Sequence, residues 1–134
     1  MNKKNRRKCV SKTGWFVAVL VERFEYYNED KSNPNRRCIA NENICLIKAK
    51  DAEVAYKKAV ELGKSTEEDE GIDDERRKGR WIFVGITELL PVYEDIEDGA
   101  EILWTEHRNK AVSTIEKMVS KKEDLQIFSE DCDE

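Results

Sequence analysis

The side chains best suited to chemistry are few in kind and scattered along the chain. There is one histidine, His107, and there are four cysteines, Cys9, Cys38, Cys45 and Cys132. An imidazole titrates near neutrality and can act as a general base, but nothing around His107 supplies a nucleophile. No G-x-S-x-G, P-loop, H-E-x-x-H or G-x-G-x-x-G pattern occurs. The cysteines include no CxxC pair and fit no zinc spacing. Cys9 and Cys132 lie near the ends, while Cys38 and Cys45 lie in an apolar segment and read as buried reduced thiols.

Acidic side chains number 29, so abundance alone selects none of them for acid–base work. A carboxylate site around a sheet would use Glu22, Glu42 and Glu101 with His107, and these four are the candidate binding residues. Such a site would take a cation or a small polar molecule. The block from Glu67 to Glu75 holds seven acids but lacks the D-x-[DN]-x-[DN]-G spacing of a calcium loop. No catalytic residue, metal ligand or cofactor is assigned from the sequence.

The layout of charge bounds the partners. Charged residues make up 40% of the chain and hydrophobic ones 39%, with a net charge of −5. Lys3, Lys4, Arg6, Arg7, Lys8 and Lys12 form a basic arm without an acid. Glu123, Asp124, Glu130, Asp131, Asp133 and Glu134 form an acidic tail without a base. A basic arm can bind nucleic acid, but the remainder is acidic, which opposes phosphate binding. Arg36-Arg37 and Arg76-Arg77-Lys78 are short clusters that leave that sign unchanged. No apolar run approaches the ~18–20 residues of a membrane span. The run Trp15 to Val21 resembles the start of a leader, but Glu22 and Arg23 end it and no cleavage site follows. The expected compartment is the cytoplasm, with no membrane partner.

The elements that must position these groups follow from periodicity. A length of 134 residues suits one domain. Residues 1–13 read as a flexible arm, 14–122 as a single domain with an acidic loop at 64–79, and 123–134 as a tail. Residues 15–27 alternate with both faces apolar as far as Val21, the pattern of a strand covered on both sides. Asn28 to Asn35 is dense in turn formers. Residues 37–48 return as a second strand, with Asn41-Glu42-Asn43 marking a bulge or second turn.

Asp51 reads as an N-cap. Ala52, Ala55, Tyr56 and Ala59 make one narrow helical face, and Gly63 is placed to follow the helix end. Residues 80–87 form a further strand carrying Trp81 and Gly85, the glycine suggesting close approach by a neighbour. Residues 89–93 continue apolar through Pro91, which points to an edge or a bend. Ala100, Ile102 and Trp104 alternate as a last strand after the turn at Gly99. Asn109 can cap a second helix with a stripe at Val112, Ile115, Met118 and Val119. The expectation is an α+β fold with a single, mainly antiparallel four-stranded sheet, ordered β-β-α-β-β-α along the chain, with helices packed on it. Trp15, Trp81, Gly85 and Gly99 are its expected structural residues.

Four short patterns occur in order. They are Trp15-Phe16-Val17-Ala18-Val19-Leu20, the strand-to-helix stretch Leu46-Ile47-Lys48-Ala49 with Asp51-Ala52-Glu53-Val54-Ala55, Trp81-Ile82-Phe83-Val84-Gly85-Ile86, and Asp98-Gly99-Ala100-Glu101-Ile102. Together they resemble a family of small bacterial domains known as domain of unknown function 4288, over about residues 14–104. The resemblance implies a fold and a bacterial cytoplasmic setting. It implies no activity and transfers no catalytic residue.

The functional expectation is a non-enzymatic protein–protein interaction module, in one form an immunity or antitoxin-type protein that masks a basic partner. One alternative is a small-molecule or metal-binding domain built on the carboxylates. The other is nucleic-acid binding through the arm. Homodimerisation is a further expectation, because the doubly apolar strands offer more surface than two short helices cover.

Overall fold

The apolar run after Gly14 forms β1 (Trp15–Tyr26). In the computed structural model of the chain, the residues described are 10–73 and 75–129, without the side chains of 68–70. A loop over residues 27–39 returns the chain into β2 (Ala40–Lys48). Helix α1 (Ala52–Ser65) follows, then β3 (Glu68–Ile72) and β4 (Lys78–Pro91). A short helix, α2 (Val112–Lys117), and two 3₁₀ turns complete the described chain.

The four strands make one antiparallel sheet in the order β2-β1-β4-β3. The fold is therefore α+β, with β1 and β4 central and β2 and β3 at the edges. Central placement explains why β1 is apolar on both faces, since Phe16 to Leu20 are all buried. On one face Phe16, Ala18 and Leu20 meet Ile47 of β2 and the fully buried Ala55 and Ala59 of α1. Alanines at the contact let the helix approach the sheet closely. The Asp51 carboxylate caps α1 by accepting from the Val54 N–H at 2.9 Å.

Several expectations are corrected. The 64–79 segment is not all loop. Its middle pairs with β4 as edge strand β3, where a charged sequence is tolerated because one margin faces water. Residues 100–105 form no strand, and Trp104 lies outside the sheet. The Asn41–Asn43 stretch carries no bulge, because its register with β1 is unbroken from Lys48 to Ala40. The irregularities fall instead between β1 and β4, at Val19/Leu20 and Val21/Glu22. Pro91 makes no edge of β4, which stays central and ends there.

Glycine and cap assignments shift too. Gly63 is inside α1, which runs on to Ser65 and ends at Thr66. The glycine serves packing, since a Cβ there would overlap the Phe83 ring. A Cβ at Gly85 would meet nothing within 4 Å, so no close approach occurs there. Ala111, not Asn109, precedes α2, and no side chain caps it. Cys38 is exposed and Cys45 half-buried, and both are free thiols.

The chain divides into two compact units, residues 1–103 and 104–134. The second holds α2 and the 3₁₀ turns, and none of these elements has a buried residue. Among the described residues no helix is long and apolar enough to cross a membrane.

Candidate functional site

One end of the sheet gathers the last residue of β1, the first of β2 and β4, and the last of β3. The loops that close this end, 27–39 and 73–77, are both held by their own polar side chains. In the first, the Asp30 carboxylate accepts from the Ser32 N–H at 3.0 Å and its hydroxyl at 2.5 Å. Asn33 accepts from the Asn35 N–H at 2.9 Å through its side-chain oxygen. These Asx turns follow from the Asp/Asn/Ser content of the loop. Arg36 then clamps it, donating to Glu29 Oε1 at 3.0 Å and to the carbonyls of Asn33 and Lys31 at 2.9 and 3.3 Å.

The second loop turns on Asp73. Its Oδ1 accepts from the Arg77 N–H at 2.7 Å and the Glu75 N–H at 3.0 Å, and its Oδ2 accepts from Arg77 Nε at 2.9 Å. Arg76 takes a left-handed φ of 63° in this turn, a strained setting for a side-chain residue. Burial pushes the Asp73 carboxyl up. The hydrogen bonds from the Arg77 backbone, the Tyr26 hydroxyl and the Arg77 guanidinium, with the charge of that guanidinium, outweigh burial and hold it below the usual carboxylate range.

Between the loops lies a cleft of 640 Å³ lined by Tyr26, Tyr27, Asn28, Glu29, Arg36, Arg37, Arg77 and Lys78. Its lining thus holds four cations and one carboxylate, and Arg77 is paired as well with Asp73 and Glu75, which are not among the lining residues. Arg36 and Arg77 are fixed by Glu29 and Asp73. Arg77 is also stacked over the Tyr26 ring, 4.5 Å from its centroid. Arg37 and Lys78 make no side-chain hydrogen bond or ion pair among the described residues. A second hollow of 410 Å³, lined by Tyr27, Gly71, Ile72 and Lys78, shares Tyr27 and Lys78 with the first. Tyr27 and Ile72 are exposed there.

Behind Tyr26 on β1, the buried Glu25 faces Arg80 across the β1–β4 register. Its carboxylate pairs with Arg80 at 3.1 Å, Lys31 at 3.3 Å and Arg23 at 3.4 Å. Burial raises this carboxyl, but the hydrogen bonds and charges of Lys31 and Arg80 prevail and lower it. Arg23 also reaches Glu29 at 3.9 Å, which ties the network to the cleft wall.

The residues singled out from sequence lie elsewhere. Glu22 is half-buried on β1, where Asn41 donates to its Oε1 at 3.1 Å. Glu42 is exposed on β2 opposite Val21, which puts it on the other face of the sheet from Glu22. Glu101 is exposed, and its N–H donates to Glu94 Oε2 at 2.8 Å. His107 is exposed in the second unit. None of the four lines the cleft. Among the described residues no three His, Cys, Asp or Glu side chains come together as a metal-holding group. Gly99 takes a positive φ of 84° in its turn. Trp81 packs edge-on against Phe24, with centroids 5.2 Å apart, and Trp15 lies beneath Lys48 Nζ.

The pattern of one family, described as a domain of unknown function (DUF4288), matches residues 15–104. The chain belongs to the DUF4288 family. The match spans the whole sheet and α1 of this DUF4288 protein and stops at the boundary of the second unit. No curated protein and no solved structure matches it.

Proposed function

We propose that this DUF4288 protein is a non-enzymatic protein-interaction module whose basic cleft takes a short acidic segment of a partner protein. The observation that carries this reading is the set of four cations in one cleft on a chain of net charge −5. Arg37 and Lys78 keep their charge for a ligand, because no carboxylate of the described chain neutralises them. Arg36 and Arg77 are already fixed in place, so binding costs them little side-chain entropy. A guanidinium fork suits a carboxylate in two-point contact. Tyr27 and Ile72 offer rigid apolar area beside the charges for a neighbouring apolar side chain.

A nucleic acid fits less well. A phosphate backbone needs a long positive track. Here the positive charge is confined to four side chains, and Glu75 pairs with one of them, Arg77, at 3.3 Å. An immunity or antitoxin role draws support only from the net acidity, which would speed encounter with a basic partner through other surfaces. The cleft itself selects an acidic contact. Because Glu22, Glu42, Glu101 and His107 all lie outside it, a carboxylate-centred ligand site gains no support. This reading places the protein in the cytoplasm, where the free thiols of Cys38 and Cys45 stay reduced.

The test is fluorescence anisotropy with a labelled Glu/Asp-rich peptide containing one leucine, set against an oligonucleotide of equal charge. Binding of the peptide that weakens with salt and is lost in Arg37→Glu/Lys78→Glu supports the reading. No peptide binding at low salt, or tighter binding of the oligonucleotide, overturns it.

A further inference from the structure

The outer margin of β2 points to a second copy of this chain. β2 is a nine-residue edge strand whose sole sheet neighbour among the described residues is β1. Two hydrogen bonds fix which of its backbone groups are spent on β1. The Ala49 N–H donates to Gly14 O at 2.9 Å, and the Phe24 N–H donates to Ile39 O at 2.8 Å. In an antiparallel ladder, bonded and non-bonded pairs alternate. With the unbroken register of β1 and β2, the odd-numbered residues from Ile39 to Ala49 therefore bond inward. Ala40, Glu42, Ile44, Leu46 and Lys48 turn their backbone groups outward. Of these, the Lys48 carbonyl already accepts from Lys58 Nζ and keeps a second lone pair.

Between the charged Glu42 and Lys48, the side chains at the centre of this margin are apolar. Ile44 is 57% exposed and Leu46 is 42% exposed. Both lie on the face of the sheet opposite α1, in register with Val19 and Val17. No proline or bulge, two of the usual protections of an edge, interrupts the strand.

We infer that two copies pair through β2, antiparallel about a two-fold axis at Cys45, to make one continuous eight-stranded sheet. A two-fold pairing is isologous, so each register sets a residue against a fixed mate on the other copy. Centring on Ile44 would set Glu42 against Leu46, and centring on Leu46 would set Ile44 against Lys48. Centring on Asn43 would set Glu42 against Ile44. Only the Cys45 centre sets Ile44 against Leu46 and Glu42 against Lys48, each twice. Apolar meets apolar and acid meets base, the two pairings that stabilise a ladder. Lys48 Nζ donates to Thr13 O at 3.2 Å and keeps two further donors for Glu42 of the second copy.

The same register puts the two Cys45 residues opposite each other as a non-bonded pair, with Cα atoms about 4.5 Å apart. That separation lies within disulfide reach. Cys45 is half-buried, packed at the margin of the core cluster beneath α1 and not enclosed by it.

The experiment uses the full chain. Light scattering after gel filtration is expected to give a particle of twice the chain mass that dissociates on dilution. Ile44→Lys, at an exposed position, should raise the dimer Kd at least about tenfold while circular dichroism stays unchanged. Glu42→Lys should weaken the dimer, and adding Lys48→Glu to it should restore it. A chain with Cys9→Ser, Cys38→Ser and Cys132→Ser, leaving Cys45, should cross-link with diamide. In that step two thiols form one disulfide and pass two protons and two electrons to the diamide. A wild-type monomer at the highest soluble concentration overturns the proposal. So does a dimer that survives Ile44→Lys, or one that fails to cross-link at Cys45. Loss of peptide binding in the cleft has no bearing on these readouts.

Discussion

The guanidinium of Arg77 lies 4.5 Å from the centre of the Tyr26 ring and donates to the Tyr26 hydroxyl at 3.1 Å. One residue at the end of β1 thereby fixes a cation that enters from the start of β4. The stacking is worth about 0.5–1 kcal/mol at an exposed site. Tyr26→Leu should therefore weaken acidic-peptide binding by roughly two- to fivefold through a loosened Arg77. Arg77→Lys should also weaken it, because an ammonium lacks the planar fork. Titration calorimetry on both variants measures this.

Stability should fall in acid. Asp73 and Glu25 have carboxyls depressed below their usual range in the folded chain. In the unfolded chain they return to about 4. The unfolded state therefore takes up protons first as pH falls, and folding stability drops with it. The contribution is complete above about pH 4 and is withdrawn as pH falls through the lower folded values. Thermal midpoints measured from pH 7 to pH 3 should show this decline, and Asp73→Asn should have a shallower one.

The glycines separate by packing. Gly63→Ala should destabilise by about 1–3 kcal/mol, since its Cβ would enter the Phe83 ring and the core must shift. Gly79→Ala should cost at least as much, because the obstacle is the Glu25 backbone together with the Phe24 ring. Gly85→Ala meets nothing and should be neutral or stabilising by up to about 1 kcal/mol. Urea unfolding of the three variants checks the order.

Removing the cap of α1 by Asp51→Ala should cost about 1 kcal/mol, because the Val54 N–H loses its acceptor. Asp51→Asn should recover most of it. The same urea titrations read this effect.

What could be read from the sequence was the part governed by local periodicity. The alternation from Trp15 to Leu20 marked β1 as central, and the alanine spacing marked the inner face of α1. β3 was hidden because its residues, Glu68 to Ile72, suit water better than a core, and its pairing depends on β4 rather than on its own propensity. The alternation at Ala100 to Trp104 misled because it has no partner strand. The cleft was illegible for a related reason. Arg36-Arg37 and Arg77-Lys78 are two short basic pairs some forty residues apart in the sequence. They meet only because β1 and β4 lie side by side and turn at the same end. His107 and the three glutamates stand out by residue type alone, whereas proximity belongs to topology.

Whether the cleft binds an acidic segment is tested by the affinity of a labelled Glu/Asp-rich peptide for the wild-type chain and for Arg37→Glu/Lys78→Glu, measured by anisotropy across a salt series. Salt-sensitive binding to the wild type is expected, with at least about a tenfold loss in the variant as two cations become two acids. Equal affinity of the two proteins, or no binding by either at low salt, would contradict it.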